Sequence, residues 1–460
     1  MSSLVLQRLS LLGILLVTGC AARRYEAAPI VPTETASRLL SRSLSDAGLQ
    51  AFLQKNLAQP EKPMPPDTWD VRTLWLAAQY FNPALEAARS RLAVAEAAIV
   101  TAGARPNPSL GIAPGIPSPY LLTLDFAVPI ETAGKRGYRI KSARSLDQAA
   151  DFDLADTVWK LRSGVRAALL DYLLASRNLD LLLSEEQIRD EQVNLLEQRF
   201  SVGEIPRPDL DLARIELSKA HLAISFAEGQ VGQAKASLAA AIGIPVAALQ
   251  GVEFSWRNLN SPPGAESLSP QQIQRDALVN RLDVRRSLAQ YAAAEADLQT
   301  EIAKQYPDIA IGPGYTYEEK NNFFTLGIST TLPIFNRNQG PIAEAEARRK
   351  EVAAAFLDKQ LQVIAGSEQA FALYAAALKE FAEADTSLST LQEQQERIMK
   401  RAVDVGEQDR LSLNGVQIES AVLARARLDA LGRAQRALGQ LEDSVQRPLE
   451  AGAAAKEPQQ

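Results

Sequence analysis

The 460-residue sequence contains very little of the side-chain chemistry that enzymes and metal proteins use. It has one cysteine (Cys20), one histidine (His221) and three methionines, so these side chains cannot assemble a soft-metal site. Neither a phosphate-binding loop nor a nucleophile elbow occurs. The sequence therefore predicts no catalytic residue, no metal site and no cofactor, and His221 is expected to be an ordinary polar residue on a helix.

Excess positive charge and long apolar runs are also missing. The formal net charge is −6 and the pI is about 5.3, which argues against a nucleic-acid partner. No run of 18 apolar residues follows the N-terminus, so no transmembrane helix is expected in the mature protein. Aromatic residues make up 6% of the chain and hydrophobic residues 46%, a mainly aliphatic content that suits closely packed helices.

The N-terminus has the features of a secretory signal. Arg8 precedes the apolar run LSLLGILLVTG, which is too short to span a bilayer comfortably. The letters VTGC resemble a bacterial lipobox, whose cysteine is acylated and becomes the new N-terminus. A lone thiol is at risk in an oxidising periplasm, which favours acylation over an incidental Cys20 beside another cleavage site. We expect a signal peptide at 1–19, a lipid (palmitate) on Cys20, and outer-membrane delivery, because Ala21 replaces the aspartate of inner-membrane retention.

Long helices dominate the sequence after a weakly patterned tether, residues 20–67. The stretch from about 150 to 203 contains no proline and as one helix would be roughly 80 Å long. Apolar residues spaced alternately three and four apart within it predict coiled-coil-like packing. They are Val158, Leu161, Val165, Ala168, Tyr172, Ala175, Leu179 and Leu182.

The chain also repeats itself at an interval of about 200 residues. VPIETAGKRG matches LPIFNRNQG, and QRFSVGEIPRPDLDL matches KRAVDVGEQDRLSL. Each half is predicted to be helix, strand, strand, long helix, glycine-containing break and helix. The predicted halves are 68–243 and 271–447, with a Pro/Gly/Ser-rich linker at 244–270 and a flexible tail at 448–460. An interval this long indicates a duplicated unit and not a small-repeat solenoid.

Two β-hairpins are predicted, one pairing about 108–114 with 120–128 and the other pairing 307–317 with 323–332. Their strands alternate between an apolar and a polar face. The apolar residues expected to face lipid are Leu122, Leu124, Phe126, Phe324, Leu326 and Ile328. A strand on the surface of a soluble core would alternate similarly, but a membrane β-barrel wall requires this pattern.

Four strands are too few to close such a barrel, because single-chain barrels begin at about eight. An open sheet edge in lipid would leave backbone groups unpaired, at several kcal/mol each. Strands that span a membrane must therefore be completed by other copies of the chain. Two copies would supply eight strands and three would supply twelve.

Several motifs in this order resemble the TolC-like outer-membrane efflux family, and in particular its cation-efflux (CzcC/CusC-like) branch. The resemblance covers about residues 68–447. It rests on NPALEAA, RPNPSL, VPIETAGKRG, YPDIAI and LPIFNRNQG together with the duplication. It implies a mainly α fold with a small β part, and a homotrimer with one twelve-stranded outer-membrane barrel and an α-helical periplasmic barrel. It further implies a passive exit duct for metal cations or small toxic compounds. Such a duct docks to a periplasmic adaptor protein and an inner-membrane RND-type pump.

The resemblance also assigns the glycine-containing breaks. Gly203 and Gly406 would be periplasmic tips of helical hairpins, where the duct closes. In VGEQDRLSLNG the charged candidates for the aperture are Glu407, Asp409 and Arg410. A ring of Glu407 or Asp409 would bind cations or pair with Arg410; the alternative is a solvated helix turn.

Other assignments stay open at this stage. A duct for protein secretion would use the same architecture, and a periplasmic coiled-coil adaptor or structural lipoprotein is a further alternative. Four basic residues after the first hairpin are expected either to meet lipid headgroups or to form a solvated helix start. They are Lys135, Arg136, Arg139 and Lys141.

Overall fold

The computed structural model describes residues 24–57, 66–115 and 121–449. The expected signal peptide and Cys20 lie outside the described residues. The chain divides into two compact units, residues 1–42 and 43–460. The described part of the first unit contains helix α1 (Pro32–Leu40), which begins with proline, a residue favoured at the first helical position.

The second unit is mainly helical and contains two small sheets. Its first half comprises α2 (Ala47–Asn56), β1 (Thr68–Trp69), α3 (Val71–Phe81), α4 (Pro83–Gly103), β2 (Ser109–Pro114), β3 (Leu122–Ile130), α5 (Lys135–Ser201) and α6 (Arg207–Ile242). A linker follows, with 3₁₀ turns at Val246–Leu249 and Ala265–Ser267 and strand β4 (Glu253–Phe254) between them. The second half comprises α7 (Pro270–Asn280), α8 (Leu282–Ala303), β5 (Ile309–Glu318), β6 (Asn321–Thr330), α9 (Gln339–Ala382), a π-helical turn (Glu383–Leu388), α10 (Ser389–Asp404) and α11 (Arg410–Val445).

Helix α5 is the longest element, with 67 residues, or about 100 Å at 1.5 Å per residue. It is longer than predicted because residues 135–149 also contain no proline. It ends just before Gly203, whose positive φ of 79° is a conformation that glycine adopts without strain. All eight residues of the predicted coiled-coil pattern are buried or half-buried.

The order of elements in the first half of the chain recurs in the second half. Helices α3 and α4, the hairpin β2–β3, and the helices α5 and α6 recur as α7 and α8, β5–β6, and α9 to α11. Residues with a left-handed backbone fall at matching places in the two halves. They are Gly134 and Asn338 before the long helices, Gly203 and Gly406 at the hairpin tips, and Gly243 and Gln446 after the last helices.

The four predicted strands form one antiparallel sheet in the order β2–β3–β5–β6. The central β3–β5 pairing joins the two halves of the chain. A second sheet, which the sequence did not predict, pairs β1 with β4 in parallel through Trp69 and Phe254. It attaches the linker to the first half.

The hairpin of β5 and β6 differs from the predicted one in its turn. Only Glu319 and Lys320 connect the strands, and their φ angles are 45° and 73°. Two positive φ angles suit a two-residue hairpin turn, but such turns usually contain glycine or asparagine. The interpretation of YEEKNN as a longer turn placed the fourth strand at 323–332. Strand β6 instead ends at Thr330, and Leu332 lies beyond it.

The two larger apolar clusters of the core lie one in each half, and a smaller third cluster joins Ala149 and Phe152 to Ala289. The first is built mainly from α2, α3, α5 and α6, and includes Leu49, Leu74, Leu169 and Leu238. The second is built from α7, α9 and α11, and includes Ile273, Tyr374 and Leu438.

A series of ion pairs joins α5 of the first half to α11 of the second, and the two helices lie antiparallel. The pairs, from the sheet side to the hairpin tips, are Arg166–Glu442, Asp171–Arg436, Glu185–Arg425, Glu191–Arg410 and Arg199–Asp409. The two halves are therefore tied along most of the length of their long helices.

The Glu442 end of this series is buried. The Glu442 side chain is 1% exposed, and its Oε2 lies 3.2 Å from Nη1 of Arg162 and 3.5 Å from Nε of Arg166. Its Oε1 accepts a hydrogen bond from the Leu449 amide at 2.8 Å. Arg166 also donates to the side chain and carbonyl of Gln435 at 3.1 Å. Removing one member of a buried pair leaves the other charge uncompensated, which is strongly destabilising.

We therefore expect Glu442→Ala to destabilise the protein by about 3–5 kcal/mol, because two buried guanidinium groups lose their counter-charge. Glu380→Ala is the control, because it breaks the exposed Glu380–Arg433 pair between α9 and α11. The measurement is the loss of helical circular dichroism with temperature in detergent. Equal losses of thermal stability in the two variants would contradict the role of the buried pair.

Candidate functional site: a four-stranded sheet and two hairpin tips

One face of the four-stranded sheet is apolar across all four strands. The register aligns Ile112, Leu124, Tyr315 and Phe324 in one row. The six residues predicted to face lipid all lie on this face: Leu122, Leu124, Phe126, Phe324, Leu326 and Ile328. On β6 they are 81%, 73% and 69% exposed, in order from Phe324 to Ile328. The described chain thus presents an apolar sheet face that it does not cover.

The opposite face is made of small and polar residues. It contains Ser109, Gly111, Thr123, Asp125, Gly312, Gly314, Thr316, Thr325, Gly327 and Ser329. Phe323 is the large apolar exception, close to the hairpin turn. The two faces therefore suit two different environments, one apolar and one aqueous.

The sheet also has two free edges. In the part of the chain that the structure describes, no strand lies outside β2 or outside β6. Along the six residues of β2 and the ten of β6, every second residue thus points its backbone N–H and C=O groups toward whatever lies beside the sheet. Free edges on an apolar sheet favour pairing with another chain.

A polar junction fixes the sheet on the helices. The Lys135 side chain is buried and donates to the Tyr306 carbonyl at 2.6 Å and to Asp308 at 2.7 Å. Arg136 donates to the carbonyl of Gly103 at 2.6 Å, and Arg139 forms an ion pair with Glu131. Arg136 thus caps the end of α4, and Lys135 joins the first half of the chain to the second. For Lys135, both expectations were wrong: its buried side chain neither contacts lipid headgroups nor lies at a solvated helix start.

The opposite ends of the long helices form two tight hairpin tips. The first joins α5 to α6 around Gly203, and the second joins α10 to α11 around Gly406, with φ angles of 79° and 80°. The amide of Glu204 donates to Arg199 in the first tip, and the amide of Glu407 donates to Ala402 in the second. The two tips thus share one backbone geometry.

The three aperture candidates lie at the second tip but do not pair with one another. Asp409 forms an ion pair with Arg199 at 2.9 Å, and Arg410 pairs with Glu191 at 2.6 Å. Both partners belong to α5, so these contacts join the first hairpin to the second. Within the described chain, Arg410 thus pairs with α5 and not with Glu407 or Asp409. Pairing of Arg410 with Glu407 or Asp409 around a ring of copies stays a prediction. Glu407 is exposed.

Asp409 also begins helix α11. Its Oδ1 accepts a hydrogen bond from the Ser412 amide at 2.8 Å, the arrangement of an N-cap. Hydrogen bonds from Ser412, followed by the Arg199 guanidinium, hold the pKa of Asp409 below its ordinary value. Asp409 is therefore ionised at neutral pH.

Sequence reasoning missed Glu191 and Arg199, the partners on α5. Arg199 lies 210 residues before Asp409, and nothing local in the sequence indicates the contact. The duplication carries a weak signal, because an arginine precedes both tips, in QRFSVGE and in KRAVDVGE.

The two long arms differ at one place. The first arm, α5, is an uninterrupted α-helix, whereas the second is divided by the π-helical turn Glu383–Leu388 between α9 and α10. Asp385 in this turn pairs with Arg427 of α11. A π-helical turn inside an α-helix is rare and is often found at functional sites.

The lateral sides of the helical layer expose apolar residues. Helix α6 packs on α5, and α9 and α10 pack on the other side of α11, so these helices form the two sides of the layer. Exposed residues on α6 are Leu212, Ile215, Leu222 and Phe226, and those on α9 and α10 are Leu357, Leu361, Leu391 and Ile398. Both sides thus resemble surfaces that a further helix covers.

The described residues contain no group of three or more His, Cys, Asp or Glu arranged to hold a metal ion. His221 lies 3.2 Å from Glu186 and is 57% exposed, as expected for a surface polar residue. Within the described ranges, no helix is both long and apolar enough to cross a bilayer.

Comparison with known proteins agrees with this architecture. Residues 77–244 match the family model described as outer membrane efflux protein. The cobalt-zinc-cadmium resistance protein CzcC of Cupriavidus metallidurans is 29% identical over 290 residues, which cover 62% of this chain and 68% of that protein. The pyoverdine export outer membrane protein OpmQ of Pseudomonas aeruginosa is 24% identical over 255 residues, covering 54% of this chain and 53% of OpmQ.

The fold is shared with solved channels. The crystal structure of CusC superimposes with a TM-score of 0.65 at 16% identity, covering 84% of this chain and 95% of CusC. At that identity the likeness establishes the fold alone, and the family match and the CzcC relative carry the assignment further. Together, the family match over residues 77–244, the CzcC relative and the shared fold support an outer membrane efflux protein of the CzcC/CusC-like branch.

Proposed function

We propose that three copies of this chain form the outer-membrane exit duct of a tripartite efflux pump, and that the duct conducts metal cations passively to the exterior. The observation that carries the proposal is the apolar sheet face with two free edges, continuous with a helix about 100 Å long. The protein is a channel subunit and not an enzyme.

The free edges explain why one copy is insufficient. No water in the hydrocarbon core can satisfy the outer backbone groups of β2 and β6, and each unpaired group costs several kcal/mol. Pairing β2 of one copy with β6 of the next satisfies both edges. Three copies supply twelve strands, the number that the family resemblance implies.

The helical layer supports the same assembly. The exposed apolar residues of α6 lie on one side of the layer and those of α9 and α10 on the other. In a ring of copies, α6 of one copy packs against α9 and α10 of its neighbour, which removes both apolar surfaces from water. The strands and the helices then close around a common axis.

We further propose that acylated Cys20 anchors each copy in the outer membrane, and that the hairpin tips meet a periplasmic adaptor protein and an inner-membrane RND-type pump. The sequence VTGC at the end of the signal-like segment supports the anchor. The cargo proposal is supported by CzcC, a cobalt-zinc-cadmium resistance protein. OpmQ, a pyoverdine export protein, supports the second candidate, a small organic cargo. The family match disfavours the adaptor alternative, and both relatives disfavour protein secretion.

The ion pairs at the tips hold the aperture in one arrangement. Arg199–Asp409 and Arg410–Glu191 tie the second hairpin to the first. Widening the aperture requires the second hairpin to move. The α9–α10 arm of this hairpin is interrupted by the π-helical turn Glu383–Leu388, which is where we expect it to bend. The charged tip residues thus act as ties between hairpins, in addition to lining the entrance.

We expect Asp409→Asn to raise the open time of reconstituted channels by at least about threefold. Asparagine is still a good N-cap, so the substitution removes the ion pair and retains the start of α11. Each partly exposed pair contributes about 0.2–1 kcal/mol, and a trimer contains three. Single-channel recording in planar bilayers is the measurement. Glu407→Gln is the control and should leave the open time unchanged. An unchanged open time in Asp409→Asn would contradict the role of the Arg199–Asp409 ion pair.

The acid dependence of the same contact follows from the lowered pKa of Asp409. A lowered pKa in the folded state means that the contact is intact above the ordinary aspartate range, near pH 4, and is lost as the pH falls through the folded value. Open time in the unmodified protein should therefore rise only in acid below about pH 4. Asp409→Asn should lack that rise.

Paired substitutions on β6 test the membrane assignment. Ile328→Asp places a charge on the apolar face and should abolish the detergent-stable oligomer, because a lipid-facing charge is destabilising. Ser329→Asp places the same charge on the polar face, and should assemble and alter only conductance. Stable oligomers of Ile328→Asp would contradict a lipid-facing position.

The same two variants test the cargo in a strain that lacks the native chain. Ser329→Asp should restore tolerance to cobalt, zinc and cadmium, and Ile328→Asp should not. Restored tolerance to organic toxins alone, with no effect on the metals, would replace metal cations with the second candidate cargo.

A further inference from the structure

The polar face of the sheet carries a single charge away from the hairpin turns. Asp125 lies in the middle of β3, and its cross-strand neighbours on this face are Gly111, Gly314 and, one strand further, Thr325. The only other charged residue in the four strands is Glu318, which lies next to the Glu319–Lys320 turn. No lysine, arginine or histidine occurs in these strands to neutralise Asp125.

The glycines beside Asp125 leave room for its carboxylate. A Cβ atom at Gly314 would lie 3.1 Å from Oδ1 of Asp125 and 2.5 Å from Oγ1 of Thr325. The carboxylate and the hydroxyl therefore converge over the bare backbone of Gly314, and a side chain there would displace one of them. A Cβ atom at Gly111, on the other side, would lie 3.7 Å from Cβ of Asp125.

The next row of the sheet adds two further hydroxyl groups. Thr123 and Thr316 are paired across β3 and β5, one row from Asp125 on the same face. The result is a small patch that offers only oxygen atoms and a negative charge. Oxygen ligands of this kind attract hard cations, but one carboxylate with neutral hydroxyls does not hold them tightly.

We propose that Asp125 determines the charge preference of the outer-membrane pore, by attracting cations and repelling anions at the middle of the barrel. The proposal rests on the proposed function, in which the polar face lines the lumen. Three copies place three carboxylates at one height, with Thr325 and the paired threonines beside each. A lipid-facing carboxylate would be destabilising, so the position of Asp125 also agrees with a water-filled side.

The effect depends on ionic strength. The screening length is about 10 Å at 0.1 M salt, about 30 Å at 0.01 M and about 3 Å at 1 M. Carboxylates on the wall of a wide pore therefore act on passing ions in dilute salt and lose that influence in concentrated salt. A steric or folding effect of a substitution would not show this dependence.

The test measures reversal potentials of full-length channels in planar bilayers with potassium chloride gradients. In dilute salt, Asp125→Asn should lower the potassium-to-chloride permeability ratio at least twofold, and Asp125→Glu should keep it. Glu318→Gln is the matched control and should leave the ratio unchanged, because Glu318 lies at the turn. In 1 M salt the conductance of Asp125→Asn should equal that of the unmodified channel. An unchanged permeability ratio in dilute salt would overturn the proposal.

Cysteine labelling separates this proposal from the proposed function. Asp125→Cys should react with a charged, membrane-impermeant thiol reagent added to reconstituted channels, and Ile328→Cys should not, with the unmodified chain as the background for Cys20. Labelling of Asp125→Cys together with an unchanged permeability ratio in Asp125→Asn overturns only the role of Asp125. Labelling of Ile328→Cys in place of Asp125→Cys would show that the apolar face, and not the polar face, meets water. That result overturns both proposals.

Discussion

Backbone hydrogen bonding at the open edges of the sheet is the constraint on which the rest of the structure depends. An apolar face suits hydrocarbon, but hydrocarbon offers no water to the outer groups of β2 and β6. A chain with four strands therefore acquires a membrane wall only by sharing edges with further copies. In the proposed ring of copies, the same sharing would also cover the exposed apolar sides of α6 and of α9 and α10, so one neighbour would serve both the strands and the helices. Assembly and membrane insertion are thus two consequences of one requirement.

Local sequence patterns predicted the parts of the fold that depend on local periodicity. The alternation in β3 and β6, the duplication and the glycine-containing breaks at Gly203 and Gly406 all follow from residue spacing. The interpretation of these breaks as hairpin tips came from the family resemblance. The predicted boundaries of β5 and β6 differ from the observed ones because no glycine indicates the tight turn, in which Glu319 and Lys320 adopt positive φ angles. The parallel β1–β4 pair is too short to give a periodic signal.

The candidate site was harder to predict, because it depends on contacts between distant residues. Glu407, Asp409 and Arg410 could be chosen as charged residues near a glycine break, but their partners could not. Arg199 meets Asp409 only because α5 and α11 lie antiparallel over most of their length. The π-helical turn in the second arm has no counterpart in α5, and no residue pattern distinguished the two arms beforehand. Features that both halves of the chain share could be predicted from the sequence. Features that occur in only one half, such as the π-helical turn, could not.

The described residues provide ion pairs between helices and one carboxylate in the middle of the polar sheet face. The measurement that tests the central claim most directly is the mass of the full-length protein extracted in detergent, determined by native mass spectrometry. The account predicts three copies of the chain, because three copies supply the twelve strands of the closed sheet. A particle of one copy, with its β2 and β6 edges unpaired, would contradict it.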